Sequence, residues 1–445
     1  MIRKIIISII IAGHLIPVAA SESDTVKHVK TGLTFGALPS IAFDTDIGLK
    51  YGALANFYLF GDGSTYPKYL HSFFMEIFHT TKGSGLMQFI YDSEYLIPNI
   101  RITAEASNFT EQALDFYGFN GYQAWYNCDF ENSDHSDYIS RMFYRHDRRV
   151  LRLRSDFQGS IIGKKFRWLA GFEFNGFKVG TVDIHKLNKG KSDADKLPDV
   201  ALLYDRFVSW GVIRDDEKDG GEHGMFKFGL VYDTRDNEPN PMSGVWSEIV
   251  LLASPSFLSN RHGYTKLDIT HRQYFTLLDE VLNLAVRLSY QPKIGGTMPF
   301  YALPYAYNTS TNIVRDGLGG AKTMRGILRN RVVGEDIFYG NLELRWKFFR
   351  KVVGKQHLYF ALSPFLDFGQ VTRDYKYDIA YIDVLPGSFL DMWLRNYDSE
   401  KMHFSYGAGI SGALNHNFVA HVNYGRAVDK RDGKSGLYIG LNYLF

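Results

Sequence analysis

A chain of 445 residues with 45% hydrophobic and 16% aromatic side chains carries a net charge of only +2, which gives no electrostatic case for nucleic acid. Its single cysteine, Cys128, excludes an internal disulfide framework and a thiolate metal site. Many Phe (34), Tyr (29) and Gly (42) beside few Pro (13), with no long apolar run after the N-terminus, fit a membrane-spanning barrel whose strands are apolar on one face only.

The first stretch has the form of an export signal. Met1-Ile2-Arg3-Lys4 is basic, Ile5 to Val18 is largely apolar, and Val18-Ala19-Ala20 offers small residues for cleavage. Residues 1–20 are therefore expected to be a cleaved signal peptide, 21–31 a short periplasmic segment, and 32–445 the barrel. Period-two patterning predicts sixteen strands: 32–41, 46–59, 67–80, 84–96, 99–107, 148–161, 165–178, 225–235, 244–256, 263–277, 281–292, 336–349, 357–371, 401–412, 416–426 and 436–445. In the strand that starts at 336, Phe338, Leu342, Leu344, Trp346 and Phe348 alternate with Tyr339, Asn341, Glu343, Arg345 and Lys347. An apolar face toward lipid and a polar face toward a lumen account for that alternation. A soluble sandwich would have to bury the charge in its core.

The joins support the same reading. Short ones follow even-numbered strands, and the long ones (108–147, 179–224, 293–335 and 372–400) follow odd-numbered strands. An antiparallel barrel with both termini in the periplasm predicts this asymmetry. The final strand alternates Leu437, Ile439, Leu441, Tyr443 and Phe445 with Tyr438, Gly440 and Asn442. An aromatic residue at its end resembles the signal read by outer-membrane assembly machinery.

Within the 293–335 join, Gly317 to Gly334 is too polar for a core and too structured for a spacer. Its glycines permit tight folding in a confined space. A guanidinium presented there, at Arg325, calls for a planar carboxylate partner. Glu343 lies on the polar face of its strand. Asp367 shares parity with Tyr359, Ala361, Ser363 and Gly369, opposite Leu358, Phe360, Leu362 and Leu366. Both acids therefore face the lumen, since a carboxylate facing lipid is costly.

Four segments together carry a family resemblance. They are Tyr232-Asp233-Thr234-Arg235-Asp236-Asn237 with Pro241 and Gly244, then Gly319-Gly320 with Thr323-Met324-Arg325-Gly326, then Gly340 to Arg345, then Phe365 to Val371. In order and spacing they resemble the BamA/TamA superfamily of outer-membrane assembly barrels, the bacterial surface antigen family. The match runs from about Tyr232 to Phe445. The resemblance implies an all-β, 16-stranded antiparallel transmembrane barrel, with a loop between strands 11 and 12 folded inward and its Arg325 clamped by Glu343 and Asp367. Members of the family commonly carry POTRA repeats before the barrel. Only Ser21 to Thr31 separate the predicted cleavage site from the first strand, so the expectation is the branch without them.

Two functions fit. The first is assisted insertion or translocation of proteins or lipids at the outer membrane without covalent chemistry, with client proteins or a separate periplasmic partner. The alternative is a passive channel or surface structural barrel. A weak seam between first and last strands, the last one short or glycine-bent at Gly436 and Gly440, would favour the first. No cofactor or metal motif stands out. The charged run from Asp183 to Glu222 reads as a solvated outer loop, its spacing matching no calcium loop. His403, His416 and His421 lack a hydrolase signature. Arg152 and Arg154 could bias a pore toward anions, but Asp156 beside them points to mutual pairing.

Overall fold

The computed structural model describes residues 30–66, 68–163, 165–238, 240–259, 262–309, 316–353, 356–377, 383–414, 418–441 and 443–445. The expected signal peptide and nearly all of the 21–31 segment lie outside the described residues, as does His416.

Sixteen antiparallel strands close on themselves. They are β1 (Leu33–Asp44), β2 (Gly48–Leu59), β3 (His71–Thr80), β4 (Ser84–Ile97), β5 (Ile100–Asp115), β6 (Arg145–Ile162), β7 (Phe166–Gly180), β8 (Gly220–Asp233), β9 (Gly244–Ser254), β10 (Tyr264–Leu278), β11 (Leu282–Gln291, continued as Lys293–Gly296), β12 (Asp336–Val353), β13 (Gln356–Arg373), β14 (His403–Leu414), β15 (Phe418–Ala427) and β16 (Ser435–Leu441). Both pieces of β11 pair with β10, on either side of Pro292. Proline has no N–H to give the ladder, which accounts for the break.

The two faces follow the alternation. On β6, Leu151 and Leu153 are exposed on the outer wall, while Arg152 and Arg154 are buried in the lumen. Interior charges find partners there: Arg152 meets Glu173 at 3.1 Å, Arg154 meets Asp156 at 3.4 Å, and Lys227 bridges Asp156 and Glu173 at 2.5 and 3.4 Å. These ion pairs thus line the lumen face of β6, β7 and β8.

Above the wall, the long joins form a cap. Phe116, Phe119, Phe130 and Tyr144 from the β5–β6 join pack against Tyr204 and Phe207 from the β7–β8 join. Phe300 and Tyr301 from the β11–β12 join, and Tyr375 and Trp393 from the β13–β14 join, complete this aromatic core. Two short helices in the cap, α1 (Leu203–Ser209) and α2 (Phe389–Arg395), supply part of it.

Strand ends depart from expectation at several places, among them the starts of β3 and β8 and the ends of β5, β11, β12 and β16. β5 continues to Asp115 rather than stopping at 107, which shortens the following join to 116–144. β16 stops at Leu441 rather than running to 445, because the last residues turn inward.

Candidate functional site

The β11–β12 join enters the barrel and is fastened residue by residue. Gly319 and Gly320 open its tight turn: Gly319 N–H donates to Thr323 Oγ1, which donates back to the Gly319 carbonyl, each at 2.9 Å. Asn341 Nδ2 on β12 donates to the Thr323 carbonyl at 2.7 Å, and Arg287 on β11 donates to the Lys322 carbonyl at 3.1 Å. The walls thereby fasten the loop by its backbone as well as by its side chains.

Arg325 sits at the centre, 1% exposed. Its Nε and Nη2 donate to the two Asp367 carboxylate oxygens, both at 2.9 Å, and its Nη1 donates to Glu343 Oε2 at 2.8 Å. Its backbone N–H adds a bond to Asp367 Oδ2 at 2.9 Å. The Phe365 ring lies 3.5 Å from the guanidinium carbon. Fork-to-carboxylate pairing plus a stacked ring suits arginine and no other cation.

Further along, Arg329 pairs with Asp316 and with Glu111 of β5, while Arg331 donates to the Gly121, Ala124 and Arg431 carbonyls. Burial acts to raise the Asp316 carboxyl, but Arg329 and Arg148 outweigh it and hold it down at about 2. The loop therefore reaches from the clamp to the cap.

Gly326 occupies a spot where no side chain fits. Its φ is +93°, and a Cβ there would stand 2.4 Å from the Gly425 carbonyl carbon on β15. Its N–H donates to Tyr438 Oη on β16 at 3.0 Å. Tyr438 in turn belongs to the closure of the barrel.

That closure is short. β1 pairs with β2 at twelve positions but with β16 at two, Phe43 opposite Ile439 and Asp44 opposite Tyr438. Thr45 extends it slightly: its N–H and Oγ1 both reach the Leu437 carbonyl at 3.1 Å, and its Oγ1 accepts from Leu437 N–H at 2.7 Å. From Leu33 to Ala42, the seam edge of β1 has no ladder partner among the described residues. A strand edge without partners is weakly held and open to pairing.

Tyr443 and Phe445, expected on the lipid-facing side of the last strand, instead turn into the lumen. Arg345 donates to Glu343 Oε1 at 2.8 Å and to the Phe445 main-chain oxygen at 2.9 Å, with the Tyr443 ring 4.1 Å away. The Phe445 ring lies 4.9 Å from the Arg287 guanidinium. The tail is thus tied to the carboxylate that holds Arg325.

The residues of the β8–β9 turn stand apart from the clamp. Arg235 binds Asp233 through Nε and Nη2 at 2.9 and 2.7 Å and lies over the Trp246 ring at 4.0 Å. Asp236 Oδ1 accepts from the N–H groups of Asn237, Met242 and Ser243, and the Pro241 carbonyl accepts from Asn283. Gly244, at φ +104°, passes so close to the Thr234 carbonyl that a Cβ would lie 2.4 Å from its oxygen. These residues build a turn that β10 and β11 also hold, through Thr276 and Asn283. Sequence reasoning named Phe365, Asn341 and Tyr438 in their strands but gave neither them nor Arg287 a part in the site. The parity that placed Asp367 also covers Phe365, but nothing local links Tyr438 to a loop more than a hundred residues earlier.

Residues 101–445 match the Omp85 superfamily domain. No curated protein matches the chain. Among solved structures, BamA from Haemophilus ducreyi lacking POTRA domains 1–3 is similar at a TM-score of 0.54 and 13% identity, over 93% of this chain and 71% of that one. CdiB from Escherichia coli is similar at a TM-score of 0.53 and 11% identity, over 93% of this chain and 63% of that one. At these identities the likeness is one of fold.

Proposed function

The chain belongs to the Omp85 superfamily, and we propose that within it this outer-membrane barrel assists the insertion or translocation of proteins or lipids by parting its seam, without covalent chemistry. We assign residues 1–20 to a cleaved export signal on the same footing. The observation that carries the reading is the two-pair closure between β1 and β16. Among the described residues, most of one β1 edge has no ladder partner beside lipid, where each unmet backbone group costs free energy that another strand would recover. The clamp contributes a reason for the seam's position to be controlled. Gly326 holds Tyr438, and Tyr438 faces Asp44 across the closure. In this reading Arg325, Glu343 and Asp367 hold the loop that sets the resting state of the seam.

A passive channel is the weaker alternative. It needs a continuous water path, whereas ion pairs, the luminal loop and an aromatic core occupy the interior and outer mouth.

The test is a seam staple in a Cys128→Ser background, with Phe43→Cys and Ile439→Cys at directly opposed positions. Reconstituted barrels would be given an unfolded outer-membrane β-barrel and its folded fraction followed over time. The expected outcome is insertion at the rate of empty lipid vesicles while the staple is oxidised, restored by reductant. Equal acceleration in both states would remove seam parting from the account.

A further inference from the structure

At the junction of cap and lumen, one histidine ties its own strand to three joins of the chain. His403, at the outer end of β14, is completely buried. Its Nδ1 lies 2.7 Å from Asp432 Oδ1 in the β15–β16 join, and its Nε2 lies 3.3 Å from both oxygens of Glu400 in the β13–β14 join. The ring stacks on Tyr122 of the β5–β6 join with centroids 3.9 Å apart. The Tyr122 hydroxyl donates to Asp432 Oδ2 at 2.6 Å. Glu400 also accepts the backbone N–H groups of Tyr122 and of Val371 on β13, at 2.8 and 2.9 Å.

The luminal loop ends on the same cluster. Leu328 N–H donates to the Asp432 carbonyl at 2.9 Å, and Arg331 Nε lies 3.8 Å from Asp432 Oδ1. Leu328 is two residues from Gly326, which holds the seam. The other charges nearby are committed among themselves or to the Tyr122 ring. Arg431 pairs with Asp429 and Asp398 and lies 4.1 Å from that ring, Lys401 lies 5.4 Å from it, and Asp374 accepts from Gln123.

Proton counting then decides the state of the ring. An imidazolium has two N–H donors, one for each carboxylate. A neutral imidazole has one, so either Asp432 or Glu400 would face a lone pair inside a largely buried cluster. With the ring charged, His403 and Arg331 balance Asp432 and Glu400. With it neutral, the cluster carries an excess negative charge that burial penalises.

We propose that His403 is a proton-operated latch: doubly protonated, it ties the cap and the luminal loop together through Asp432, and its deprotonation loosens the loop. The latch is closed at and below the ordinary histidine range of about 6.5. It opens as pH rises through the point where the ring loses its second proton. The direction follows from the charged form being the one that satisfies both neighbours.

The full chain in planar bilayers, recorded from pH 5.5 to 9, tests this. Opening events should become about tenfold more frequent across the range, the factor expected for losing one charge-assisted bond. His403→Gln, whose two N–H donors sit on one nitrogen and cannot replace both the Nδ1 and the Nε2 contacts, should show frequent openings with no pH dependence. His185→Gln, exposed on the short helix Ile184–Asn188, should titrate like the parent. Should His403→Gln fail to fold, nitrogen resonances of the His403 ring in the unaltered protein decide the matter. A ring protonated on both nitrogens at pH 6 supports the latch, and a neutral ring there overturns it. A parent protein without pH dependence, or a His403→Gln variant that keeps it, also overturns the proposal. The result is independent of the seam staple, since it reads the loop and not insertion.

Discussion

Asp367 accepts three hydrogen bonds from Arg325, from its backbone N–H, Nε and Nη2. Such concentration on one carboxylate makes neighbouring substitutions informative. Tyr438→Phe removes only the oxygen that Gly326 N–H reaches, leaving a buried donor unmet at a cost of about 1–3 kcal/mol. The barrel should stay folded while Phe43→Cys/Ile439→Cys crosslinking, followed on gels, slows as the seam loses its anchor. Gly326→Ala should be worse, because the alanine Cβ would meet backbone rather than a side chain that could move. Strain at that φ alone is worth about 1–3 kcal/mol. The expected outcome is a lower temperature for loss of the heat-modifiable folded band, with unchanged electrophoretic behaviour at room temperature. At this scale the acids around Arg325 were legible, because strand parity assigns each residue to lumen or lipid. Tyr438 was not. Its contact arises from sheet closure between the two ends of the chain, which no local period encodes.

Turns and tails behave differently from the strands they join. Asp236 Oδ1 alone gathers three backbone N–H groups of the β8–β9 turn, those of Asn237, Met242 and Ser243. Asp236→Ala should therefore speed amide exchange over 234–243 by about tenfold while β8 and β9 keep their protection, measured by hydrogen exchange with mass spectrometry. Strand number was readable from alternation, whereas strand ends were less so. β5 extends past the lipid-matched stretch to Asp115, where the ladder continues but the apolar alternation has given way to cap packing. Residues 443–445 keep an alternating pattern yet leave the sheet, drawn inward by Arg345 and Arg287. Period-two patterning reports which face a side chain would take in a strand, and is silent on whether the strand goes on.

For the whole molecule, wall, luminal loop and cap form one closed body with a single short closure. The loop passes from Arg325 at the clamp, through Gly326 at the seam, to Leu328 and Arg331 beneath the cap. Fold class could be argued from sequence because lipid and lumen impose opposite demands on alternate residues, and the inward loop was implied by the family resemblance of its Gly319–Gly326 segment. The aromatic cap could not, since its members come from four joins with no common period. Removing one partner of a buried ion pair costs about 3–5 kcal/mol, so Arg325→Ala should free the loop while sparing most of the wall. The direct measurement is planar-bilayer conductance of the parent barrel beside Arg325→Ala. Low, flickering conductance that rises sharply in the variant is the result expected of a lumen closed by the clamped loop. Large, steady conductance in the parent, unchanged by the substitution, would contradict it and leave an open channel in its place.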